Sequence, residues 1–567
     1  MKSKLKYFFV GAVIIIASLL ASRDLFKKGY FSIHDDLQVG RLYQMDLCFR
    51  DGQFPCRWVP DMGYGYGYPL FNYYPPLPYY FGELVHALGF SFLDSTKAMF
   101  MASIFISGIL MFLFGKKLWG GWGGLLSAVL YLWSPYHSVD IYVRGAMNEA
   151  WSLAFLPGIY WAIYEIIEND KNRKNRKKFI FYLALFFGLL LLSHNLMAFI
   201  FAPTFTVFSL LLIWVKKKNL KESLFKLILG GIWGFGLAAF FTLPVLLETK
   251  FVHVETMLMG YFNYLAHFVP IGKMLFTRFW GYGSSGWLQE TGMPFQVGLP
   301  QWPLAVLVTL IAVILFFKKK ISKNQIIIFS FFFFLFLFTL FMAHPRSVFI
   351  WKLFPILDFL QFPWRFLTLV IFSISVLGGG IIYFFKNKKT QFILSFILVI
   401  VTIVLNYTFF RVEKTIPMTD NQKLFSAKGW NKLQTDAIFD YLPIYAKAPP
   451  GGPAPEKPEI KSGTAAITEI RKGTDWSLFS VEVSKEAKIQ IPLYDFPDWK
   501  VWVDKKITAQ THDNFLGLIN VVIPPGIHEV NLKLTNTLPR VLGNLISLIS
   551  WIILVFSAVL LLKKKEK

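Results

Sequence analysis

The feature that most constrains this chain is a series of apolar runs, each about as long as a lipid bilayer is thick. Of its 567 residues, 55% are hydrophobic, and ~20 consecutive apolar residues are enough for a helix to cross a bilayer. The sequence therefore predicts a polytopic α-helical membrane protein. We expect about twelve transmembrane helices, over residues 6–22, 95–115, 119–137, 150–167, 178–193, 197–215, 224–247, 301–317, 324–343, 364–385, 391–410 and 540–562.

Basic residues lie in short runs between these spans and predict the topology. The chain has 58 Lys and Arg against 34 Asp and Glu, a formal charge of +24. Every second span ends at such a run, as at 216–218 and 318–320, and basic runs are typical of cytoplasmic loops. The pattern predicts a protein of the cytoplasmic (inner) membrane with both termini in the cytoplasm, and it argues against nucleic-acid binding. The N-terminus resembles a signal peptide, but this topology favours an uncleaved anchor.

The predicted topology divides the chain into three parts. Residues 1–410 form a transmembrane domain with a large first outer loop at 23–94. Residues 411–539 are polar, and short runs that alternate apolar and polar residues follow a Pro- and Gly-rich linker. Such alternation predicts antiparallel strands, here a β-sandwich outside the cytoplasm. Residues 540–567 contain the last transmembrane helix and a basic tail.

The first outer loop carries the most promising acidic residues of the chain. His34, Asp35 and Asp36 follow soon after the first span. A carboxylate just outside a bilayer could act as a general base, or hold a divalent metal such as Mg²⁺ or Mn²⁺ beside a phosphate. Alternatively, an Asp simply caps the helix that the apolar spacing predicts over 37–49. Cys48 and Cys56 lie in the same loop and could form a disulfide or remain two thiols.

Farther along this loop, tyrosines alternate with Gly and Pro between residues 64 and 80. Aromatic rings stack on the CH faces of sugars, and glycines let a ligand approach the backbone closely. Tyr66 and Tyr74 are therefore candidate substrate-binding residues. The alternative is an interfacial aromatic belt, in which Tyr is ordinarily enriched.

Charged and polar residues also lie at the outer ends of later spans. Arg144 and Glu149 begin span four, His194 interrupts the hairpin between spans five and six, and Arg365 enters span ten. Charged groups at membrane depth are costly and are usually paired or functional. The two arginines could bind a lipid phosphate, and Glu149 could face the first-loop acids. The alternatives are an Arg–Glu pair at a helix start, snorkelling to lipid head groups and, for His194, an ordinary polar turn.

Several of these segments together resemble one family. Gly52, Pro55, Arg57 and Trp58 form the pattern G-x-x-P-x-R-W, and GYGYPLFNYYPPLPYY follows it. With RGAMNEAW, SHN, LQFPWRFL, FPDWKVWVDKK and VVIPPGIHEVNLKL in order along the chain, the sequence resembles the YfhO-type bacterial membrane proteins and the related 6-pyruvoyl-tetrahydropterin-synthase-related membrane domain. Near its end the chain departs from the family pattern at two positions. Asp498 stands where a Gly is usual, and Lys505 stands where a second Gly would follow Asp504.

The resemblance implies a GT-C-type glycosyltransferase fold. Such an enzyme transfers a sugar from a polyprenyl-phosphate donor to an acceptor outside the cytoplasmic membrane, such as an envelope polymer, a lipid or a protein. The resemblance implies Asp35 or Asp36 as the catalytic base, with Glu149, His194 and Arg365 lining the same cavity. The further candidate substrate-binding residues are His34, Arg57, Tyr66, Tyr74 and Arg144.

A second hypothesis is a non-enzymatic protein that transports a lipid or polysaccharide, or assists envelope assembly. The same basic and aromatic groups would then bind a lipid head group without chemistry. Transporters more often have inverted repeats and charges near the bilayer midplane. Here the sequence has no convincing internal repeat and its charged residues cluster at the outer ends of the spans, which favours the enzyme.

Overall fold

A computed structural model describes residues 3–168, 173–288 and 292–563, and most of these residues are helical. The α-helices are α1 (Ser3–Ala21), α2 (Gln38–Arg50), α3 (Leu70–Tyr73), α4 (Leu77–Ala87), α5 (Phe92–Leu132), α6 (Pro135–Ser138), α7 (Met147–Glu168), α8 (Arg173–Ser193), α9 (Asn195–Val215), α10 (Leu220–Leu237), α11 (Ala239–Glu248), α12 (Ile271–Leu275), α13 (Gln301–Phe317), α14 (Lys323–Met342), α15 (Val348–Leu353), α16 (Leu367–Gly379), α17 (Lys388–Asn406), α18 (Asp420–Leu424), α19 (Ala427–Thr435) and α20 (Leu538–Lys563).

Each predicted span falls on helical residues, and the span 224–247 falls on two helices, α10 and α11. Seven described helices are long and apolar enough to cross a membrane: α5, α7, α9, α14, α20 and the helical segments Pro363–Phe384 and Lys388–Phe409, which contain α16 and α17. The bent pair α10–α11 is an eighth, and two shorter apolar helices cover Leu5–Ala21 and Gln301–Phe317. The prediction of a multi-pass helical membrane protein is thus confirmed. The basic runs at 171–178 and 563–567 lie partly outside the described residues.

Helix α5 is a hairpin that contains two of the predicted spans. Gly120 interrupts it with a positive φ of 79°, a conformation that favours glycine. A Cβ atom added to Gly108 would lie 2.8 Å from Leu132, and one added to Gly115 would lie 2.9 Å from Ser127. The two arms therefore run antiparallel in close contact, which small residues permit between membrane helices.

The predicted span at 224–247 is not one straight helix, because α10 and α11 meet at an angle of 82°. Helix α20 satisfies the backbone groups that this break leaves free. The Ser547 hydroxyl accepts a hydrogen bond from the Phe240 backbone N–H at 2.8 Å and donates one to the Gly236 carbonyl at 2.9 Å. A buried break in an apolar helix is tolerated where a neighbouring side chain bonds the freed groups in this way.

Aromatic side chains form the centre of the helix bundle. Tyr160 of α7 contacts Phe114, Phe208 and Phe372 with ring centroids 5.6, 4.8 and 4.8 Å apart. Phe332 of α14 completes the cluster 5.9 Å from Phe372. Five helices (α5, α7, α9, α14 and α16) therefore meet through interlocked rings, and such packing gives a rigid scaffold for groups at their outer ends.

The predicted C-terminal β-rich domain is confirmed, and its strands form one antiparallel hydrogen-bonded network. The long strand β4 pairs with β9 over its first half and with β8 over its second. The strands are β3 (Glu459–Lys472), β4 (Trp476–Tyr494), β5 (Trp499–Val503), β6 (Lys506–Thr508), β7 (Gln510–Thr511), β8 (Leu518–Ile523) and β9 (Gly526–Leu534), after the separate pair β1 (Tyr30–Phe31) and β2 (Thr415–Ile416).

The first outer loop covers the buried face of this sheet. Trp58, Tyr66 and Tyr73 belong to the same apolar core as the inward side chains of β4 and β8. Asp51 accepts hydrogen bonds from the Thr474 backbone N–H at 2.7 Å and the Trp476 indole N–H at 3.0 Å. Part of the aromatic run is therefore protein core, a use that neither interpretation of the sequence anticipates.

Candidate active site

The acidic end of the first outer loop is bonded to the turn that precedes α7. The backbone N–H groups of His34 and Asp35 donate to the carbonyls of Val143 and Arg144 at 3.0 and 2.8 Å. Gly145, with φ of +64°, lies so close to Ile33 that an added Cβ would come within 2.5 Å of it. The glycine of the RGAM segment thus allows the two loops to meet.

The Asp35 carboxylate is hydrogen-bonded to neighbouring side chains and is partly exposed. It accepts two hydrogen bonds from Arg41 Nη1, at 3.0 and 2.8 Å, and one from Gln38 Nε2 at 2.8 Å. The same Arg41 donates to the Tyr74 hydroxyl at 3.0 Å and stacks on its ring at 4.3 Å. Arg41 is buried, whereas 34% of the Asp35 side chain stays exposed. Asp35, Arg41 and Tyr74 therefore form one wall of the candidate site.

Asp36 points to a different set of partners. Its carboxylate pairs with Lys423 Nζ at 2.6 Å and with Lys432 Nζ at 3.5 Å. These lysines belong to α18 and α19, in the segment between the last bundle helix and the sheet. Asp36 thus fastens that segment to the first loop.

The two carboxylates do not form a metal-binding pair. Each is occupied by its own basic partners, Arg41 for Asp35 and the two lysines for Asp36. Within the described ranges, no group of three or more His, Cys, Asp or Glu residues is arranged to hold a metal ion. The residues present therefore do not fit the Mg²⁺ or Mn²⁺ site that the sequence left open as an alternative.

Arg144, Glu149 and Arg365 meet at the end of the bundle that adjoins the first outer loop. Arg144 Nη1 lies 2.8 Å from Glu149 Oε2 and also pairs with Asp140. Arg365 Nε lies 3.6 Å from the same Glu149 oxygen. The Tyr136 hydroxyl donates to Glu149 Oε1 at 3.0 Å. Two guanidinium groups thus share two carboxylates in a buried cluster.

This cluster contains donors that no described residue satisfies. Arg365 Nε and the indole N–H of Trp364 are buried without a hydrogen-bond acceptor in the described part of the chain. The Arg144 guanidinium stacks on the Trp364 ring at 4.2 Å. Buried N–H groups are ordinarily paired, but Arg365 Nε has only its 3.6 Å ion pair with Glu149, and the carboxylate oxygens Glu149 Oε2 and Asp140 Oδ2 also lack hydrogen bonds. The two N–H groups can therefore still bond an oxygen of a ligand that enters the cluster.

His194 lies beside the two arginines, at the turn between α8 and α9. Burial, together with the positive charges of Arg365 and Arg144, lowers the pKa of His194 well below its ordinary value. The ring is therefore neutral and can accept a hydrogen bond. Asn148 connects this turn to the first loop, since its amide donates to the carbonyls of Ser193 at 2.9 Å and Pro75 at 2.8 Å.

His34 is covered by the loop 248–300. Its Nε2 lies 2.8 Å from the Tyr282 carbonyl oxygen, and burial lowers the pKa of His34. The loop thus contacts the residue that precedes the two first-loop acids. Glu290 of this loop lies outside the described residues.

Two predicted substrate-binding residues lie in a different part of the structure. Arg57 is buried and donates to the Phe240 carbonyl at 3.0 Å and Asn544 Oδ1 at 2.8 Å. Tyr66 packs against Tyr494 with ring centroids 5.6 Å apart. Both residues thus join the first loop to the C-terminal part of the chain. The Cys48–Cys56 disulfide links α2 to the residue that precedes Arg57.

Sequence analysis missed several residues of the site. Gln38 and Arg41 lie in the first turns of α2 and follow Asp35 by three and six residues. Steps of three residues place side chains near one another on a helix, and this spacing was the available signal in the sequence. Asp140, four residues before Arg144, pairs with it across one turn of π-helix.

A family model and a curated relative match the chain. The 6-pyruvoyl-tetrahydropterin synthase related domain, a membrane-protein domain, matches residues 71–412. An uncharacterized protein of Lactococcus lactis subsp. cremoris is 25% identical over 348 residues, which are 57% of this chain and 52% of that protein. The chain therefore spans about half the length of this relative.

Two solved structures show a distant likeness. One is an oligosaccharyltransferase of Archaeoglobus fulgidus tethered with an acceptor peptide, with a TM-score of 0.41 and 10% identity over 77% of this chain and 60% of that one. The other is ArnT of Cupriavidus metallidurans bound to undecaprenyl phosphate, with a TM-score of 0.41 and 10% identity over 71% of this chain and 64% of that one. The family match extends over more than half of the chain. The chain therefore belongs to the family of membrane proteins with a 6-pyruvoyl-tetrahydropterin synthase related domain.

Proposed function

We propose that this protein is a membrane glycosyltransferase that moves a sugar from a polyprenyl-phosphate donor to an acceptor on the extracytoplasmic side of the membrane. One observation carries the proposal. The partly accessible Asp35 carboxylate is bonded through its backbone to the turn that holds Arg144. Displacement of a phosphate from a sugar requires a base for the attacking hydroxyl and positive charge near the leaving phosphate oxygen. A carboxylate can act as that base, and guanidinium groups can stabilise the negative charge that develops on the phosphate.

The arginine cluster is the proposed phosphate site. Arg144 and Arg365 present fixed positive charge, and the Arg365 and Trp364 N–H groups lack acceptors among the described residues. Guanidinium groups match the geometry of phosphate oxygens. Neutral His194 adds a group that hydrogen-bonds without adding charge.

The position of the cluster fits a lipid-linked donor. Arg365 begins the apolar segment Pro363–Phe384, and Glu149 begins α7, which is also long and apolar enough to cross a membrane. A polyprenyl chain would stay in the bilayer while its phosphate reaches the outer end of these helices. The sugar would then lie between the cluster and the Asp35–Tyr74 wall.

The proposed reaction is a single displacement at the anomeric carbon. The acceptor hydroxyl passes its proton to the Asp35 carboxylate as its oxygen forms a bond to the anomeric carbon. The bond between the anomeric carbon and the phosphate oxygen breaks, and the electron pair stays on the phosphate. Arg144 and Arg365 stabilise that developing charge.

The test measures release of polyprenyl phosphate by purified protein in lipid, with a panel of polyprenyl-phosphate sugars and acceptors. We expect Asp35→Asn to lower turnover by about 10²–10⁴-fold while donor binding is retained. Asp36→Asn is the matched control, because it removes the neighbouring carboxylate and only loosens the contact with Lys423; it should lower turnover far less. Wild-type protein that binds donors without turning over any of them would favour the transporter or assembly factor.

A further inference from the structure

The segment 345–360 connects two helical segments that are long and apolar enough to cross a membrane. Residues 343–347 alone separate the end of α14 at Met342 from the start of α15 at Val348, and the apolar segment Pro363–Phe384 begins shortly after Leu360. An extended chain advances at most ~3.6 Å per residue, so α15 starts no more than about 20 Å from the end of α14. The segment therefore lies near the level at which these helices would leave the bilayer.

Large apolar side chains of this segment are not covered by the rest of the protein. Between 40% and 67% of each of five side chains is exposed, namely Phe349, Leu353, Phe354, Ile356 and Phe359. A surface that faces only water rarely carries so many large apolar groups in so short a stretch, and such patches mark contacts with another protein or with a membrane.

Other groups of the segment hold it against the helix bundle. The buried Trp351 ring stacks on Tyr264 with ring centroids 5.1 Å apart, and its indole N–H donates to the Met342 carbonyl at 3.3 Å. Arg365 Nη1 donates to the Leu360 carbonyl at 2.7 Å. The exposed apolar side chains thus belong to a segment that is bonded to the bundle at two points.

The exposed apolar surface of the segment continues onto α14. Phe349 contacts Phe341, in the last turn of α14, with ring centroids 6.3 Å apart. Phe338 and Phe334 lie about one and two turns earlier on the same face of α14 and are also exposed. Because α14 is long and apolar enough to cross a membrane, this face would contact lipid, and the segment extends it.

The charges of the segment suit the head-group region of a bilayer. Arg346 and Lys352 are exposed, whereas Asp358, the only acid between residues 345 and 360, is half-buried. Long basic side chains beside apolar ones can extend to lipid phosphates while their stems stay in apolar surroundings. A phospholipid leaflet offers a partner for both kinds of group: acyl chains for the apolar side chains and phosphates for the two cations.

We propose that residues 345–359 form an interfacial segment that binds the phospholipid leaflet at this end of the bundle. Its exposed apolar side chains would enter the boundary between head groups and acyl chains, to a depth of ~5–10 Å, and Arg346 and Lys352 would bind the lipid phosphates. Because the Leu360 carbonyl is bonded to Arg365, the segment would hold the arginine cluster close to the level of these phosphates. The inference does not depend on the proposed transferase activity.

The test measures the depth of single introduced cysteines in the whole protein. The two native cysteines form a disulfide, so the fluorophore NBD would attach to the introduced thiol. Labelled protein is placed in vesicles of phosphatidylcholine and phosphatidylglycerol that carry a nitroxide either on the head group or near the start of the acyl chain. We expect the acyl nitroxide to quench Phe354→Cys and Leu353→Cys several-fold more strongly than the control described below, and the head-group nitroxide to quench Lys352→Cys most strongly.

Ile527→Cys is the matched control, because Ile527 is an exposed apolar residue of β9 in the sheet domain. Its label should respond to aqueous iodide and hardly to either nitroxide. Quenching of Phe354→Cys and Leu353→Cys by iodide alone would show that the segment faces water, and protection from both quenchers would show that another protein covers it; either result would overturn the inference. Since quenching requires no turnover, wild-type protein without transferase activity would contradict the proposed function alone.

Discussion

At the scale of single residues, the site depends on two adjacent acids with opposite surroundings. Asp35 shares its charge with buried Arg41 and keeps a third of its surface exposed, whereas Asp36 is tied to Lys423 and Lys432. The start of α2 sets this difference, since Gln38 and Arg41 face Asp35 across its first turns. An acid at position 35 can therefore meet a substrate, and the next one stabilises the contact with the chain that follows the bundle.

Lys505 carries backbone strain that a single substitution should relieve. Asp504 and Lys505 form the two-residue turn between β5 and β6, with φ values of 49° and 68°. A turn with two positive φ values favours Asp-Gly, and glycine adopts that conformation without steric cost. The left-handed conformation costs a residue other than glycine about 1–2 kcal/mol, and the greater backbone entropy of glycine offsets about 0.5–1 kcal/mol of that gain. We therefore expect Lys505→Gly to stabilise the hairpin by about 0.5–1 kcal/mol, measured as slower hydrogen exchange of the β5 and β6 amides in the whole protein. Lys500→Gly, in the extended strand β5, should speed exchange instead; faster exchange in Lys505→Gly would contradict the assignment.

At the scale of elements, the last helix is joined to the bundle by a buried ion pair. Arg540 of α20 donates to Glu248 at the end of α11 at 2.9 Å, and both side chains are fully buried. Asn72 of the first loop donates to the same carboxylate at 3.0 Å. The α10–α11 bend, α20 and the first loop therefore meet at one charged contact.

Removing one partner of this pair should be far more damaging than replacing both. Arg540→Ala leaves Glu248 buried without its counter-charge, which costs about 3–5 kcal/mol, whereas Glu248→Gln combined with Arg540→Met leaves no isolated charge. We expect a marked fall in the thermal unfolding midpoint of the single variant in detergent, and a smaller fall in the double variant. Equal midpoints for wild type and Arg540→Ala would show that the contact does not stabilise the fold.

The helices were predictable and their contacts were not, for a physical reason. Bilayer thickness imposes a length on every span, so hydropathy alone locates them, and the outer position of Arg144, Glu149 and Arg365 follows from the same count. The α10–α11 bend depends on Ser547, some 300 residues away, and hydropathy carries no information about such a partner. The packing of Tyr66 against Tyr494 could not be predicted either, because burial against a distant sheet leaves no local signature.

At the scale of the whole molecule, the candidate site is built where distant parts of the chain meet. The first loop, the turn before α7, the α8–α9 turn, the start of Pro363–Phe384 and the 411–446 segment each contribute to it. The segment 411–446 is bound to the first loop by the β1–β2 pair and by the Asp36 ion pairs. The proposed sugar transfer would therefore require the segment 411–446 to stay bound to the first loop. Because this segment leads into the sheet domain, that domain would be coupled to the reaction.

The orientation of the chain is the prediction that everything on the outer face depends on. Basic runs place the turn that contains Lys320 in the cytoplasm, and the same topology places Lys428 outside. Both side chains are exposed, and the two cysteines of the chain form the Cys48–Cys56 disulfide, so an introduced cysteine would be the reactive thiol. We expect a membrane-impermeant maleimide to label Lys428→Cys in intact cells and Lys320→Cys only after the membrane is opened. The reverse pattern would put Asp35 and the arginine cluster on the cytoplasmic face, where the donor would have to be presented from the other leaflet.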